Sequence, residues 1–160
     1  MQQLLPVFER EGVRLRLEPH PDDFVEDGRA AVELIRGIDH EAVSFLYCAP
    51  HTFHMGGDIA GIMRYAGPLL THLHIADSFD HRASSGLRYI VNPPGSPARV
   101  HQHLDIGQGE VNWDDFFATL HKLGFGDRPE TVMTSCVFAW EERAVESSKF
   151  MLDRVTKELA

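Results

Sequence analysis

Histidine is the residue type in this sequence whose number and spacing point to chemistry. The chain has 160 residues and ten histidines. Seven of them lie close together in the sequence: His51, His54, His72, His74, His81, His101 and His103. Neutral imidazole binds divalent metals, and its pKa near neutrality lets it donate or accept protons. The question is which of these side chains meet at one site.

The segment THLHIAD, residues 71–77, gives the first answer. It is predicted to be a strand, in which successive side chains point to opposite faces. His72 and His74 then share one face, and Leu73 and Ile75 share the other. One face is apolar and the other can bind a ligand. Asp77, at the end of the segment, is either a turn residue or a group that orients an imidazole.

The elements that must position these residues alternate along the chain. Strands are predicted at residues 13–18, 42–49, 71–77 and 130–138, and helices at residues 2–11, 28–36, 58–70, 112–123 and 140–159. An irregular stretch at residues 78–109 contains the sequence NPPGSP and is predicted to be a functional loop. A leading helix followed by four strand-helix units predicts an α/β fold with parallel strands.

Polar residues on the strands indicate which parallel fold this is. Strands of an open doubly wound sheet are buried on both faces and are apolar throughout, whereas these strands carry Arg14, Arg16, His72 and His74. Such side chains fit the polar lumen of a barrel, whose active residues lie at the carboxyl ends of the strands. Four units do not close a barrel, so the prediction is a parallel (β/α) half-barrel.

Composition narrows the function classes. The formal net charge of −9 disfavours nucleic acid as a partner, because phosphates would be repelled. No apolar run is long enough to cross a membrane, and the first residues do not look like a secretion signal. Cys48 and Cys136 are the two cysteines, which suits a reducing compartment. We expect a cytoplasmic protein whose residues 1–160 form one domain.

Several segments together resemble the xylose-isomerase-like sugar isomerases and epimerases, which are metal-dependent (β/α)₈ barrels. The segments are LRLEPHP, HTFHMGGD, THLHIAD, HLDIGQGEVNWDDFF and the last strand. They correspond to the second half of that barrel, strands five to eight of a TIM-barrel type fold, and are most similar to inositol-catabolism members. The resemblance implies that about four N-terminal strand-helix units are missing from this chain.

The resemblance also implies a metal site. Glu18 matches the ligand glutamate at the end of the fifth strand, and His74 matches the ligand histidine of the seventh. His51 stands where a ligand aspartate is usual, and Cys136 stands where the eighth strand carries a ligand glutamate. His54 matches a histidine that contacts substrate. The metal set is therefore Glu18, His51, His74 and Cys136, with His101 or His103 as alternative sources of the fourth ligand.

This donor set predicts a divalent metal ion, Mn, Co or Zn, and its nitrogen and sulfur atoms favour zinc, cobalt or iron over magnesium. In the family, two glutamates also move protons, so the missing glutamate speaks against epimerisation with two bases. The expected substrate is a small sugar or polyol, and the expected reaction is isomerisation, epimerisation or a related dehydration next to a carbonyl. Glu18 and His54 are the predicted catalytic residues, and His54 and His103 are predicted to bind substrate.

Plainer interpretations stay open for each residue. Glu18 could neutralise Arg14 or Arg16 along its strand, Cys136 could be a packed thiol, and His51 and His54 could be exposed loop residues. His72 is expected to be a hydrogen-bonded core residue, and three more histidines are expected on the surface: His20, His40 and His121. The chain could also be a non-catalytic barrel fragment or metal-binding module. A zinc phosphodiesterase of the abasic-endonuclease type is a further alternative, which the acidic charge disfavours.

Assembly follows from the half-barrel prediction. Four strands leave two edges of a lumen open, exposing unpaired backbone. There are three alternatives for these open edges. A second copy of the chain could cover them, a separate chain could supply the first half of the barrel, or the chain could be a fragment that stays open. We expect a homodimer, because two-fold dimers are the commonest closed symmetry.

Overall fold

The computed structural model describes residues 1–21, 23–80, 102–138 and 141–159. The NPPGSP loop and the alternative ligand His101 lie outside the described residues. Within them, six α-helices and four strands alternate along the chain. The helices are α1 (Leu5–Glu11), α2 (Gly28–Ile38), α3 (Ala49–Phe53), α4 (Ile59–Ala66), α5 (Trp113–Lys122) and α6 (Glu141–Leu159). The strands are β1 (Leu15–Leu17), β2 (Val43–Cys48), β3 (Leu70–Ile75) and β4 (Val132–Ser135).

The four strands form one parallel sheet in the order β1-β2-β3-β4. Each strand therefore pairs with the next strand in the sequence, as consecutive strands of a (β/α) barrel do. The predicted α/β fold with parallel strands is confirmed. Because all strands run the same way, their carboxyl ends meet at one edge of the sheet.

The two faces of the sheet differ in chemistry. One face packs on the helices through a continuous apolar core, which includes Phe45, Tyr47, Leu73 and Ile75. The other face carries His72 and His74 on β3, and across from them Leu46 and Cys48 on β2. We call this second face the lumen face. The predicted alternation along THLHIAD is confirmed, since Leu73 and Ile75 are buried and the two histidines are partly exposed.

Several boundaries differ from the predicted ones for local reasons. Helix α1 begins at Leu5 rather than at residue 2, and it is capped after Glu11 by Gly12, which has a left-handed φ of 63°. The predicted helix over residues 58–70 ends at Ala66, because Gly67 has a φ of 54° and Pro68 follows it in a 3₁₀ turn. Helix α3 was not predicted, since five residues that contain Pro50 read as a loop.

The edges of the sheet are β1 and β4. Apolar side chains next to both edges are exposed: Val13, just before β1, by 47% and Phe138, just after β4, by 67%. No helix in the described part of the chain is both long and apolar enough to span a membrane.

Candidate active site

One lumen-facing residue at or just after the end of each strand contributes to a cluster of polar side chains. In the β2–β3 pairing Cys48 lies opposite His74, and in the β3–β4 pairing His74 lies opposite Thr134. Cys136 lies two residues beyond Thr134, and Glu18 directly follows β1. The parity of parallel strands thus places Glu18, Cys48, His74 and Cys136 on the same face at the same edge.

Glu18 and His74 form the centre of this cluster. The Nδ1–H of His74 donates to Oε1 of Glu18 at 3.0 Å. The His74 ring also hydrogen-bonds Cys136, and these two hydrogen bonds, the one to Cys136 contributing most, raise the pKa of His74 to about 9. His74 is therefore a cation at neutral pH, held between two anionic groups. The alternative in which Glu18 neutralises Arg14 or Arg16 has no ion pair in the described residues.

His51 lies in helix α3 and is buried, at 6% exposure. Its Nδ1–H points towards two acceptors, the carbonyl oxygen of Pro19 at 3.0 Å and Oε1 of Glu18 at 3.3 Å. The ring of His20 packs edge-on against it, with centroids 4.4 Å apart. The interpretation of His51 as an exposed loop residue is wrong, because α3 turns it inwards beside Glu18. His20, expected on the surface, lies at the rim of this site.

His54 follows α3 and is also buried, at 3% exposure. Its Nδ1–H donates to the carbonyl oxygen of Pro50 at 3.0 Å, which leaves the lone pair on Nε2. His51 and His54 both line a cavity of about 430 Å³ together with Met55 and Asp58. That volume is within the usual range of about 300–1,000 Å³ for small-molecule sites. The exposed-loop interpretation fails for His54 as well.

His103 reaches the cluster from the segment that follows residue 101. It is buried, and its Nδ1–H donates to the carbonyl oxygen of Cys136 at 2.6 Å. Phe138 stacks on the ring, with centroids 4.1 Å apart, and its backbone N–H donates to the carbonyl oxygen of His103. The ring is therefore fixed in position and tautomer next to the end of β4.

The two cysteines are free thiols in direct contact. Cys48 is fully buried, and that burial raises the pKa of its thiol well above the usual value. The hydrogen bond from Cys48, supported by hydrogen bonds from His103 and His74, lowers the pKa of Cys136 to about 2. The metal-free cluster therefore contains one thiol and one thiolate. The interpretation of Cys136 as a plain packed thiol does not fit this surrounding.

Two overlapping sets of three donor atoms lie close enough to hold a metal ion. Among the described residues, the atoms of Cys48, His103 and Cys136 all lie within 4.8 Å of one another, and so do those of Glu18, Cys48 and His51. Three of the four predicted ligands occur in these sets: Cys136 in the first, and Glu18 and His51 in the second. The fourth, His74, is in neither set, although its ring hydrogen-bonds both Glu18 and Cys136. The carboxylate, imidazole and sulfur donors fit a divalent metal such as zinc or cobalt.

His72 is not part of the metal-binding sets. Its Nε2 forms a hydrogen bond with the hydroxyl of Thr134 at 3.0 Å. Partial burial and the nearby charge of His74 lower the pKa of His72. It is therefore a neutral, hydrogen-bonded residue one layer below His74, as predicted.

Asp77 organises the backbone around the site instead of orienting an imidazole. Its carboxylate is fully buried and accepts four hydrogen bonds, from the backbone N–H groups of Ser78, Gly107 and Val111 and from the indole of Trp113. The backbone of Asp77 also forms a two-bond bridge with Leu104, directly after His103. Both sequence interpretations of Asp77 missed this role.

We predict that the thiolate of Cys136 can be detected by alkylation of metal-free protein. An ordinary thiol below its pKa of about 8.5 reacts roughly tenfold faster per pH unit, because its thiolate fraction rises. Cys136 stays deprotonated from pH 5 to pH 8, since its pKa is about 2. Its iodoacetamide labelling, followed by mass spectrometry after chelation, is therefore expected to be nearly independent of pH. The Cys136→Ser protein is the control, because it retains only the buried Cys48; a tenfold rise per pH unit in the unsubstituted protein would contradict the prediction.

Cys48 is the functional residue that sequence reasoning missed. The sequence indicates only that both cysteines stay as thiols or metal ligands, and it assigns Cys48 no place in the site. The alternation of side chains along β2 could have indicated that Cys48 faces the lumen, since Leu46 and Cys48 lie on the face opposite to Phe45 and Tyr47. That Cys48 belongs to the site follows only from the strand register, which places it opposite His74.

Comparison with known proteins agrees with this architecture. The family described as "Xylose isomerase-like TIM barrel" matches residues 1–154 of the chain. No curated protein matches the sequence.

Solved structures match nearly the whole chain at low sequence identity. The structure of IOLI protein with a bound zinc atom is 20% identical with a TM-score of 0.68, and the match covers 98% of this chain and 52% of that one. The structure of D-psicose 3-epimerase with D-tagatose from Clostridium cellulolyticum H10 is 18% identical with a TM-score of 0.68, and the match covers 99% of this chain and 53% of that one. The structure of the probable 3-DHS dehydratase AsbF from Bacillus anthracis is 17% identical with a TM-score of 0.67, and the match covers 97% of this chain and 53% of that one. The chain therefore spans about half the length of these structures.

Proposed function

The chain belongs to the xylose isomerase-like TIM barrel family, and on that premise we propose that it is a metal-dependent isomerase, epimerase or related dehydratase. Its substrate would be a small sugar or polyol derivative, such as a ketose or an inosose, in inositol or sugar catabolism. The observation that carries the proposal is the partly buried Glu18–His74–Cys136 chain of hydrogen bonds at the carboxyl ends of the strands. The free thiols fit a cytoplasmic protein.

Glu18 is the proton-transfer residue in this proposal. Its side chain is about a quarter exposed, so a substrate can reach the carboxylate from the lumen. The carboxylate takes the proton from the carbon next to the carbonyl. In an isomerisation it returns this proton to the carbonyl carbon, while the hydroxyl proton of the first carbon passes to the carbonyl oxygen; in an exchange it returns a proton to the same carbon. In a dehydration, the protonated Glu18 gives its proton to the hydroxyl on the next carbon, which leaves as water as the C=C bond forms. The hydrogen bonds that Glu18 accepts from His74 and His51 both reach Oε1, and they keep this oxygen in place during these steps.

A single base is favoured over two. The position at the end of β4 where a second carboxylate would be expected holds Cys136, whose pKa of about 2 makes the thiolate a weak proton acceptor. Proton transfer on one face of the substrate is sufficient for isomerisation and for dehydration. His54, which lines the adjacent cavity, is proposed to contact a substrate hydroxyl. His103 is the second proposed substrate contact.

The metal would be held by donors of the strand-end cluster, for which the sequence predicts Glu18, His51, His74 and Cys136. When bound, a divalent ion polarises the substrate carbonyl and lowers the pKa of the neighbouring C–H. Manganese, cobalt and zinc are the candidates, and the sulfur donors favour the latter two.

Turnover on a substrate panel tests the proposal. Protein loaded in turn with manganese, cobalt or zinc is incubated with inososes and ketoses, and products are identified by chromatography against authentic standards. Conversion that requires added metal and is lost after chelation is the expected result. An absence of turnover with every metal and substrate, while a full-length family member turns over the same panel, would contradict the catalytic proposal.

A non-catalytic metal-binding module is the second candidate. It is favoured by the same departure at the end of β4, where Cys136 leaves the site with one carboxylate. In that case elemental analysis would find stoichiometric metal in the protein, and the assay above would give no product.

The assembly proposal is a homodimer. Strands β1 and β4 are sheet edges with exposed apolar neighbours, Val13 and Phe138, and covering such edges removes unpaired backbone from water. Sedimentation velocity at micromolar concentration is expected to give a species of twice the chain mass. A well-folded, non-associating monomer with one cooperative thermal transition would contradict the proposal.

A further inference from the structure

We propose that the metal ion is bound by Cys48, His103 and Cys136, with Glu18 left outside the coordination sphere to transfer protons. This inference rests on the proposed function and replaces its sequence-derived ligand set. Of the three residues, Cys48 is at a position that the sequence did not assign to the metal, and His103 was only an alternative source of the fourth ligand.

The geometry of the three donors suits zinc or cobalt. Their donor atoms lie within 4.8 Å of one another. A tetrahedral ion with bonds of about 2.3 Å to sulfur and 2.0 Å to nitrogen separates its donors by roughly 3.4–3.8 Å. Small side-chain movements therefore close the set around an ion. Two cysteines and one histidine leave a fourth position open, which is the arrangement of a catalytic rather than a structural zinc site.

The surroundings of His103 are those of a metal-binding histidine. Its Nδ1–H donates to a backbone carbonyl, that of Cys136, which fixes the tautomer with the lone pair on Nε2. Phe138 stacks on the ring and Asp77 anchors the next residue through the Leu104 bridge. The imidazole is thus oriented before any ion binds.

Glu18 is already committed to other partners. Its Oε1 accepts from Nδ1–H of His74 and faces Nδ1–H of His51. Binding an ion at Glu18 would break these contacts, whereas the sulfur atoms of Cys48 and Cys136 are donors that zinc and cobalt prefer.

Cobalt absorption spectroscopy of the protein with its cysteines reduced tests the inference. Thiolate bonded to Co²⁺ gives strong charge-transfer absorption in the near ultraviolet, which carboxylate and imidazole ligands do not give. The unsubstituted protein is expected to bind one Co²⁺ by elemental analysis and to show this absorption. Cys48→Ser and Cys136→Ser should each lose roughly half of it, because each removes one of two sulfur ligands, and the double variant should lose all of it.

Glu18→Gln is the decisive matched variant, and it is expected to keep both the cobalt and the full absorption. Cys48→Ala serves as a second variant at the buried position, and circular dichroism checks that each protein is folded. Bound cobalt without charge-transfer absorption, lost in Glu18→Gln, would overturn this inference and leave the proposed function standing. Absence of cobalt binding in the unsubstituted protein would overturn both the inference and the metal dependence of the proposed function.

Discussion

Replacement of Asp77 by alanine is expected to cause the largest loss of stability of any single substitution near the site. The carboxylate is fully buried and accepts hydrogen bonds from three backbone N–H groups and one indole N–H. Truncation leaves these donors without an acceptor, which we expect to cost about 3–5 kcal/mol. In a chain of this length that corresponds to a fall in Tm of roughly 10 °C or more.

Thermal unfolding followed by circular dichroism measures this effect, with Asp114→Ala as the matched control. Asp114 is exposed in the first turn of α5, so its removal should change the free energy of unfolding by less than about 1 kcal/mol. Asp77→Asn should fall between the two, because the amide keeps one acceptor oxygen and turns an N–H₂ group towards other donors. Equal melting temperatures for Asp77→Ala and Asp114→Ala would show that the four bonds do not hold this segment.

Replacement of Glu18 by glutamine is expected to have the largest effect on activity. Glutamine keeps an oxygen that can accept from His74 and His51, so the fold and the hydrogen bonds are preserved. It cannot take a proton from carbon, and loss of a general base lowers kcat by roughly 10²–10⁴-fold. Steady-state kinetics on any substrate found in the panel would measure this loss.

Glu41→Gln is the control for the Glu18 variant. Glu41 is exposed before β2, at the amino ends of the strands and so away from the site. The kcat of the Glu41→Gln protein should therefore be unchanged. Metal content should be equal in all three proteins, which separates the loss of a base from the loss of a ligand. A Glu18→Gln protein with full kcat would remove Glu18 from the chemistry.

The sequence predicted what depends on local periodicity. Alternation in THLHIAD located His72 and His74 on one face, and the sidechains of Asp27 and Asn112 cap α2 and α5 where the sequence predicted those helices to begin. The order of strands and helices sufficed for the parallel sheet. These features need only neighbouring residues, so they could be predicted from a single chain.

The features that could not be predicted depend on distant partners. The value of Cys48 comes from its register opposite His74, 26 positions away in the sequence (74 − 48). Asp77 gains its role from donors about thirty residues later, and His103 from the backbone of Cys136. The inward turn of α3 depends on packing that overrides the loop signal of Pro50. The predicted assignment to strands five to eight stays a prediction.

Solvent deuterium exchange tests the central claim most directly, namely that Glu18 removes a proton next to a carbonyl in a metal-dependent reaction. Metal-loaded protein is incubated with inososes and ketoses in D₂O, and proton NMR follows the signal of the hydrogen on the carbon next to the carbonyl. The account predicts that this signal disappears in the presence of the unsubstituted protein and of Glu41→Gln, and persists with Glu18→Gln or with chelator. Retention of the signal with every metal and substrate, or equal exchange with Glu18→Gln, would contradict it.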